Sequence, residues 1–253
     1  MKTCVAAVLW LVSGACLAQA AYPEPEAAAA WRGLAAGYVR KALKDRTLDR
    51  EPALNARVDA VMAAVGVAVA AIDPRYANAS WKALLIEDFG HGAVAFPGET
   101  ILVDAKFVRG LQLNDDELAL IFCHEAAHLL AGHASAKLSF MAEFLGKEKL
   151  PTARTALLEF LADDSYAAAF QARARLQERE ADTLGAAIFF ASGFDARRAL
   201  GLFDKLAELE SREDGQSGRG ADSHDAAAAR KHAVAGAIAE LRQRQAGRLT
   251  ADP

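Results

Sequence analysis

The stretch Asn114-Asp115-Asp116-Glu117-Leu118-Ala119-Leu120-Ile121-Phe122-Cys123-His124-Glu125-Ala126-Ala127-His128-Leu129-Leu130 decides how this 253-residue chain folds. Asn114 offers an N-cap and Glu117 stands three residues on, the spacing of a capping box, so a helix opens here and runs to about Ala131. Within it His124 and His128 are four residues apart, about 40° off one full turn, and both imidazoles leave the same face. Ring nitrogens so placed can share a zinc ion at about 2 Å. Glu125 lies beside them without being a ligand, placed to take a proton from a metal-activated water. Cys123 projects about 100° round the helix from His124, which suits packing rather than coordination.

A catalytic zinc usually keeps three protein ligands and one open position. A third histidine in the pattern H-E-x-x-H-x-x-G-x-x-H would need glycine and histidine where this chain has Ala131 and Ala134; the residues present, Gly132 and His133, are out of register. His133 also falls about 180° round a continuing helix from His124, so it is expected to point away and to serve structure or surface. The other source is Gln177-Glu178-Arg179-Glu180-Ala181-Asp182. Glu178 would complete a two-histidine, one-carboxylate set, and Asp182, four residues on, could accept from the outer N–H of a ligand histidine. Gly185, about one turn further, would let the two helices approach closely. Taken alone, Arg173, Arg175, Glu178, Arg179 and Glu180 read as a solvated charged face; the His-Glu-Ala-Ala-His pentad is what turns the reading towards a site.

Outward from these helices, Glu26–Lys44 and Asn55–Ile72 read as helical, separated by a polar turn with Pro52. Ala83–Asp88, Ala93–Phe96 and Thr100–Asp104 are short apolar runs punctuated by Gly90, Gly92, Pro97 and Gly98, hence strands, the last two a hairpin. Helices are expected near Ser135–Leu145, Thr152–Asp163, Ser165–Ala191 (ended by Gly193), Asp195–Ser211 (capped by Asp195) and Ala226–Gln245. Arg212–Ser223 is polar and glycine-rich, a mobile loop. His91, between glycines, reads as a turn residue and His232 as lying on the solvent face of the last helix.

Residues 1–20 read as a signal peptide: Lys2 supplies the positive start, Val5–Val12 the apolar stretch and Ala18-Gln19-Ala20 the cleavage site. A lipoprotein signal ending at Cys16 is the alternative, although Ser13 sits where such signals usually carry leucine. After cleavage only Cys123 remains, so no internal disulfide is expected. No later stretch is expected to reach the roughly 18 apolar residues of a membrane span, Leu184–Ser192 being the best. A net charge of −4 without a basic stripe gives no sign of a nucleic-acid partner. A soluble periplasmic protein is the expectation, with residues 21–253 forming a single domain around a core of about 53–235.

Three blocks of the chain resemble the HtpX-like and BepA-like zinc metallopeptidases, the gluzincin family that also contains the CAAX prenyl protease. Gly92-Ala93-Val94-Ala95-Phe96-Pro97-Gly98-Glu99-Thr100-Ile101-Leu102-Val103 is similar to the family's N-A-F-A-x-P-G-G-x-I-x-V segment. Gly92 replaces its asparagine and Glu99 its second glycine. Asp116–Ala119 leading into His124–His128, with His133 beyond, resembles the catalytic helix, and Glu178–Asp182 with Gly185 and Ser192–Asp195 resembles the E-x-x-A-D-x-x-G block and the turn after it. The resemblance implies an α+β, mostly helical fold, a zincin-like core with a small three-stranded sheet beside the active-site helix. It implies one zinc held by His124, His128 and Glu178, with Glu125 as base. It also implies an active-site role for His224 and Arg230, which keep the spacing of the family's H-P-x-x-x-x-R element although Asp225 replaces the proline. The expected activity is endopeptidase cleavage of unfolded or misfolded envelope proteins, with substrate laid along Ala93, Val94, Ala95 and Phe96. The alternative is a zinc-binding chaperone or assembly factor latched by His224.

Overall fold

The computed structural model describes residues 20–214 and 227–249. The expected signal segment up to Gln19, the glycine-rich stretch past Asp214 and His224 lie outside them.

Three strands, β1 (Lys82–Ile86), β2 (Ala93–Phe96) and β3 (Thr100–Asp104), form one sheet in the order β1-β3-β2. β3 is central, and its uninterrupted apolar run is buried on both faces: Ile101 and Val103 join one core, Leu102 the other. β1 pairs with it in parallel and β2 antiparallel, Ala93 opposite Val103 and Ala95 opposite Ile101. The hairpin turns through Pro97–Glu99. Glu99 takes φ 54°, a left-handed conformation that a glycine would adopt freely and that costs another residue roughly 1 kcal/mol.

Ten helices are described: α1 (Glu24–Asp45), α2 (Pro52–Ile72), α3 (Ala105–Gly110), α4 (Asp115–Leu130), α5 (His133–Leu145), α6 (Ala153–Ala162), α7 (Asp164–Ser192), α8 (Ala196–Ala199), α9 (Gly201–Asp214) and α10 (Ala227–Leu249). On one face of the sheet α2, α4, the second half of α7 and α8–α10 share a core containing Val65, Leu118, Phe122 and Ile188. On the other face α1, α5 and α6 close over Phe96, Leu102 and Met141. The mostly helical α+β class and the small sheet beside α4 are as the sequence implies.

Three expectations change. The helix expected over Asp195–Ser211 is two, broken at Leu200, where Gly201 lies so near the buried Glu117 carboxylate of α4 that a Cβ there would meet it at 3.2 Å. The second piece, α9, runs to Asp214, so the start of the expected loop at Arg212 is helical. Finally, α2 is long and apolar enough to cross a bilayer by length and composition, with mean hydropathy 1.6, which corrects the expectation that no stretch past the signal reaches that length. Val58, Val61, Met62, Val65 and Val69 of this helix are buried in the core.

Candidate metal centre

The site begins with the start of α4. Asn114 Oδ1 accepts from Glu117 N–H at 3.0 Å and Glu117 Oε2 accepts from Asn114 N–H at 2.8 Å, a complete capping box. Lys205 Nζ, 2.7 Å from the same Oε2, compensates the buried Glu117 charge. With its first turn fixed and Leu118 and Phe122 fully buried, α4 has one rotation about its axis, and that rotation sets His124, Glu125 and His128. Cys123 is buried in the same core, where desolvation pushes its thiol well up.

α7 crosses α4 in close contact because Gly185 lies on the crossing point. A Cβ there would stand 3.0 Å from His124 Cα and 3.1 Å from His124 N. Two turns earlier on the same helix, Glu178 meets both imidazoles. His124 Nε2 and His128 Nε2 are 3.1 Å apart, Glu178 Oε2 is 3.3 Å from the first and Glu178 Oε1 is 3.4 Å from the second. Four ligands placed tetrahedrally at about 2.0–2.1 Å from a zinc ion would be separated by about 3.3–3.4 Å. The two imidazole nitrogens lie slightly inside that figure, and each has one of the two Glu178 oxygens at it.

The outer nitrogens of both rings are occupied, which fixes where their protons sit. His124 Nδ1 is 3.0 Å from Asp182 Oδ1, so Nδ1–H donates to the carboxylate and Nε2 faces the cluster. Arg230 clamps Asp182 bidentately, Nε to Oδ2 at 2.9 Å and Nη2 to Oδ1 at 2.8 Å. Burial raises the Asp182 carboxyl, but the His124 and Arg230 hydrogen bonds outweigh it and hold the group below its usual range. His124 is lowered by burial, and the hydrogen bonds of Asp182 and Glu178 more than reverse this, to about 9. His128 is pushed well down by burial and then by the charge of His124. Two imidazole nitrogens and a carboxylate turned toward one point, with the outer ring nitrogens held by acceptors, are a donor set for a divalent cation, and the residues fit zinc.

His133 does not point away, contrary to the angular reading. Its Nδ1 is 2.8 Å from His128 Nδ1, its Nε2 is 3.3 Å from Glu180 Oε2, and the residue is 6% exposed. The reading assumed that α4 continues. Instead Gly132 takes φ 71°, the chain turns, and His133 opens α5 against the ring it was expected to avoid. The assignment that satisfies both contacts and leaves His128 Nε2 bare places protons on His128 Nδ1 and His133 Nε2. Glu180, read from sequence as part of a solvated face, is the far end of this chain of hydrogen bonds.

Glu125 Oε2 accepts from Ala95 N–H at 2.8 Å, tying α4 to the sheet edge. Burial lifts the Glu125 carboxyl to about 7, despite the opposing pull of His124 and Ala95. Because the N–H of Ala95 turns outward, the pleat turns the main chain of Ala93 outward as well, while Val94 and Phe96 bond inward to β3. Of the four residues expected to carry substrate, only these two present main chain to the cleft. The cleft has two arms that share Gly92, Ala93, His124 and Glu125. One, of about 260 Å³, continues past Arg230 and Phe203; the other, of about 370 Å³, continues past His128 and Lys137. His91 borders the second arm in a bend, and His232 is exposed on α10.

The structure therefore brings together His124, His128, Glu178, Glu125, Asp182 and Arg230. Two histidines one helical turn apart, a glutamate from a crossing helix and a second glutamate at the sheet edge define a zincin-like metallopeptidase centre. The sequence profile of Peptidase family M48 matches residues 52–236, and the chain belongs to that family. Membership points to zinc metallopeptidase activity, with His124, His128 and Glu178 as the group able to hold the ion. No curated protein matches the chain significantly.

Proposed function

We propose that the protein is a zinc-dependent metalloendopeptidase of the HtpX-like and BepA-like type, exported to the periplasm and acting on unfolded or misfolded envelope proteins. The observation that carries the peptidase reading is the convergence of two imidazole nitrogens and both oxygens of one carboxylate, each imidazole nitrogen 3.1–3.4 Å from the other and from one carboxylate oxygen, with Glu125 held beside them.

His124, His128 and Glu178 would hold the zinc, which when bound supplies Lewis acidity toward a carbonyl and acidifies water. Asp182 and His133 orient the two imidazoles by their outer nitrogens. Glu125, lifted to about 7, is poised to accept a proton from the attacking water near neutral pH and to return it to the leaving amine. Ala93 and Ala95 offer main-chain groups to a peptide laid along β2. Binding of that kind reads backbone rather than side chains and needs an extended segment, which supports unfolded protein as the substrate class. Arg230, fixed by Asp182 at the border of the cleft, is placed to donate to a carbonyl oxygen as negative charge develops on it.

The test is zinc-dependent cleavage of unfolded casein by the mature chain and by its Glu125→Gln variant. The variant should keep its zinc and lose turnover by a factor of about 10²–10⁴. Comparable turnover by both would end the reading.

A further inference from the structure

One cation beside the metal centre is left over by this mechanism. Lys137 follows His133 by one turn on α5, so its side chain rises from the helix face that meets the cluster. Its Nζ stands 5.2 Å from the ring centroid of Phe160, 5.6 Å from that of Trp31 and 5.8 Å from that of Phe170. Trp31 is held in place by its own hydrogen bond, Nε1 to the Ala134 carbonyl at 3.0 Å. Aromatic faces stabilise a cation through their quadrupoles but accept no strong hydrogen bond. Among the described residues, no hydrogen bond or ion pair from a carboxylate or carbonyl reaches Lys137 Nζ, and the half-buried side chain stays open to the cleft.

The ammonium lines the cleft arm of about 370 Å³, whose walls include Ala95, His128 and Glu178. Ala134 and Ala174 border the same arm, and their small side chains leave it room for a substituent. Burial pushes the Lys137 pKa down, with Glu178 pulling the other way. In the opposite arm the cation among the described residues is Arg230, whose charge is shared with the Asp182 carboxylate, whereas Lys137 has no such carboxylate beside it.

We propose that Lys137 is an anion subsite of the substrate cleft, receiving a carboxylate of the bound peptide on the side away from Arg230. The carboxylate is either an acidic side chain flanking the scissile bond or the free C-terminus of the peptide. This deepens the peptidase reading and rests on it for the identity of the ligand.

The test measures binding, so that it stands apart from turnover. The full chain carrying Glu125→Gln, loaded with zinc, is titrated into fluorescently labelled alanine hexapeptides: amidated with one glutamate, amidated with one glutamine, and all-alanine with a free C-terminus. At least one carboxylate peptide should bind about 10- to 100-fold more tightly than the glutamine peptide, the worth of hydrogen bonds to a charged group. Which one does so tells side chain from terminus. Adding Lys137→Met should remove the difference and leave the glutamine peptide's affinity as it was, while Lys137→Arg should preserve it. Equal affinities in the parent overturn the proposal without any change at Lys137. So does a preference that survives Lys137→Met, which assigns the carboxylate to the metal, and so does a uniform loss for all three peptides. Absence of casein cleavage by the Glu125 chain, with the carboxylate preference intact, would overturn the peptidase reading and leave the subsite standing.

Discussion

Gly185→Ala puts one methyl group at the crossing of α4 and α7, where the geometry allows a sharp expectation. The new carbon would stand 3.0 Å from His124 Cα, 3.1 Å from His124 N and 3.2 Å from the Cys123 carbonyl oxygen, all backbone atoms that no rotamer change can move aside. Comfortable carbon contacts begin near about 3.5 Å, so the two helices must part locally by roughly half an ångström. That separation acts unequally on the metal centre. His124 and His128 belong to one helix and keep their 3.1 Å spacing, whereas the Glu178 distances of 3.3 and 3.4 Å run between helices and lengthen. Misplacement on that scale should lower zinc affinity by about 10- to 100-fold, as disturbed outer contacts of a metal site do. Overpacking costs about 1–3 kcal/mol, against which the helix gains about 1 kcal/mol from replacing glycine, so metal-free stability should fall by up to about 2 kcal/mol. Gly236→Ala on α10 is the control: nothing lies within 4 Å of its Cβ position, and it should stabilise by up to about 1 kcal/mol without touching the metal. Chelator competition and urea unfolding measure the two quantities. Wild-type zinc affinity in Gly185→Ala would refute the claim that this close approach sets the site.

His133→Ala removes the acceptor on His128 Nδ1 and should weaken zinc binding by about 10- to 100-fold while leaving the metal-free fold in place; calorimetric titration against circular dichroism separates the two. Asp73 is raised by burial but held below its usual value by its hydrogen bonds to the Arg75 side chain and N–H. A depressed carboxyl stabilises the fold above its unfolded value and loses that contribution as pH falls through the folded one. Asp73→Asn should therefore cost about 1–2 kcal/mol at pH 7, and the gap to wild type should close below about pH 3.9, read from urea unfolding at several pH values. A gap that persists at pH 2 would show that the carboxylate charge is not what stabilises this turn.

What the sequence made legible was local. The capping box of Asn114 and Glu117 involves only neighbours along the chain, and His124 and His128 share a face by helix arithmetic. Gly185 could be read because a glycine inside a charged helix implies a close neighbour. The strands of the hairpin were bounded correctly because Pro97 and Gly98 end one and start the other. His133 was misread because the arithmetic ran past Gly132, although a glycine closing an apolar helix is itself a signal that the angular count stops. The break at Leu200 has a glycine beside it, Gly201, but what that glycine meets, the buried Glu117 carboxylate, lies far away in sequence and could not be read. Glu180 and Lys137 were equally illegible: a charged residue on a helix looks solvated until another element covers it.

The central claim is that His124, His128 and Glu178 enclose one ion. Zinc content of the purified protein, measured by elemental analysis beside that of Glu178→Ala after equilibration in the same limiting free zinc, tests it most directly. One zinc per chain in the first and a large fall in the second is the predicted result. Equal occupancy in both, or no zinc in the unaltered chain, would contradict the account.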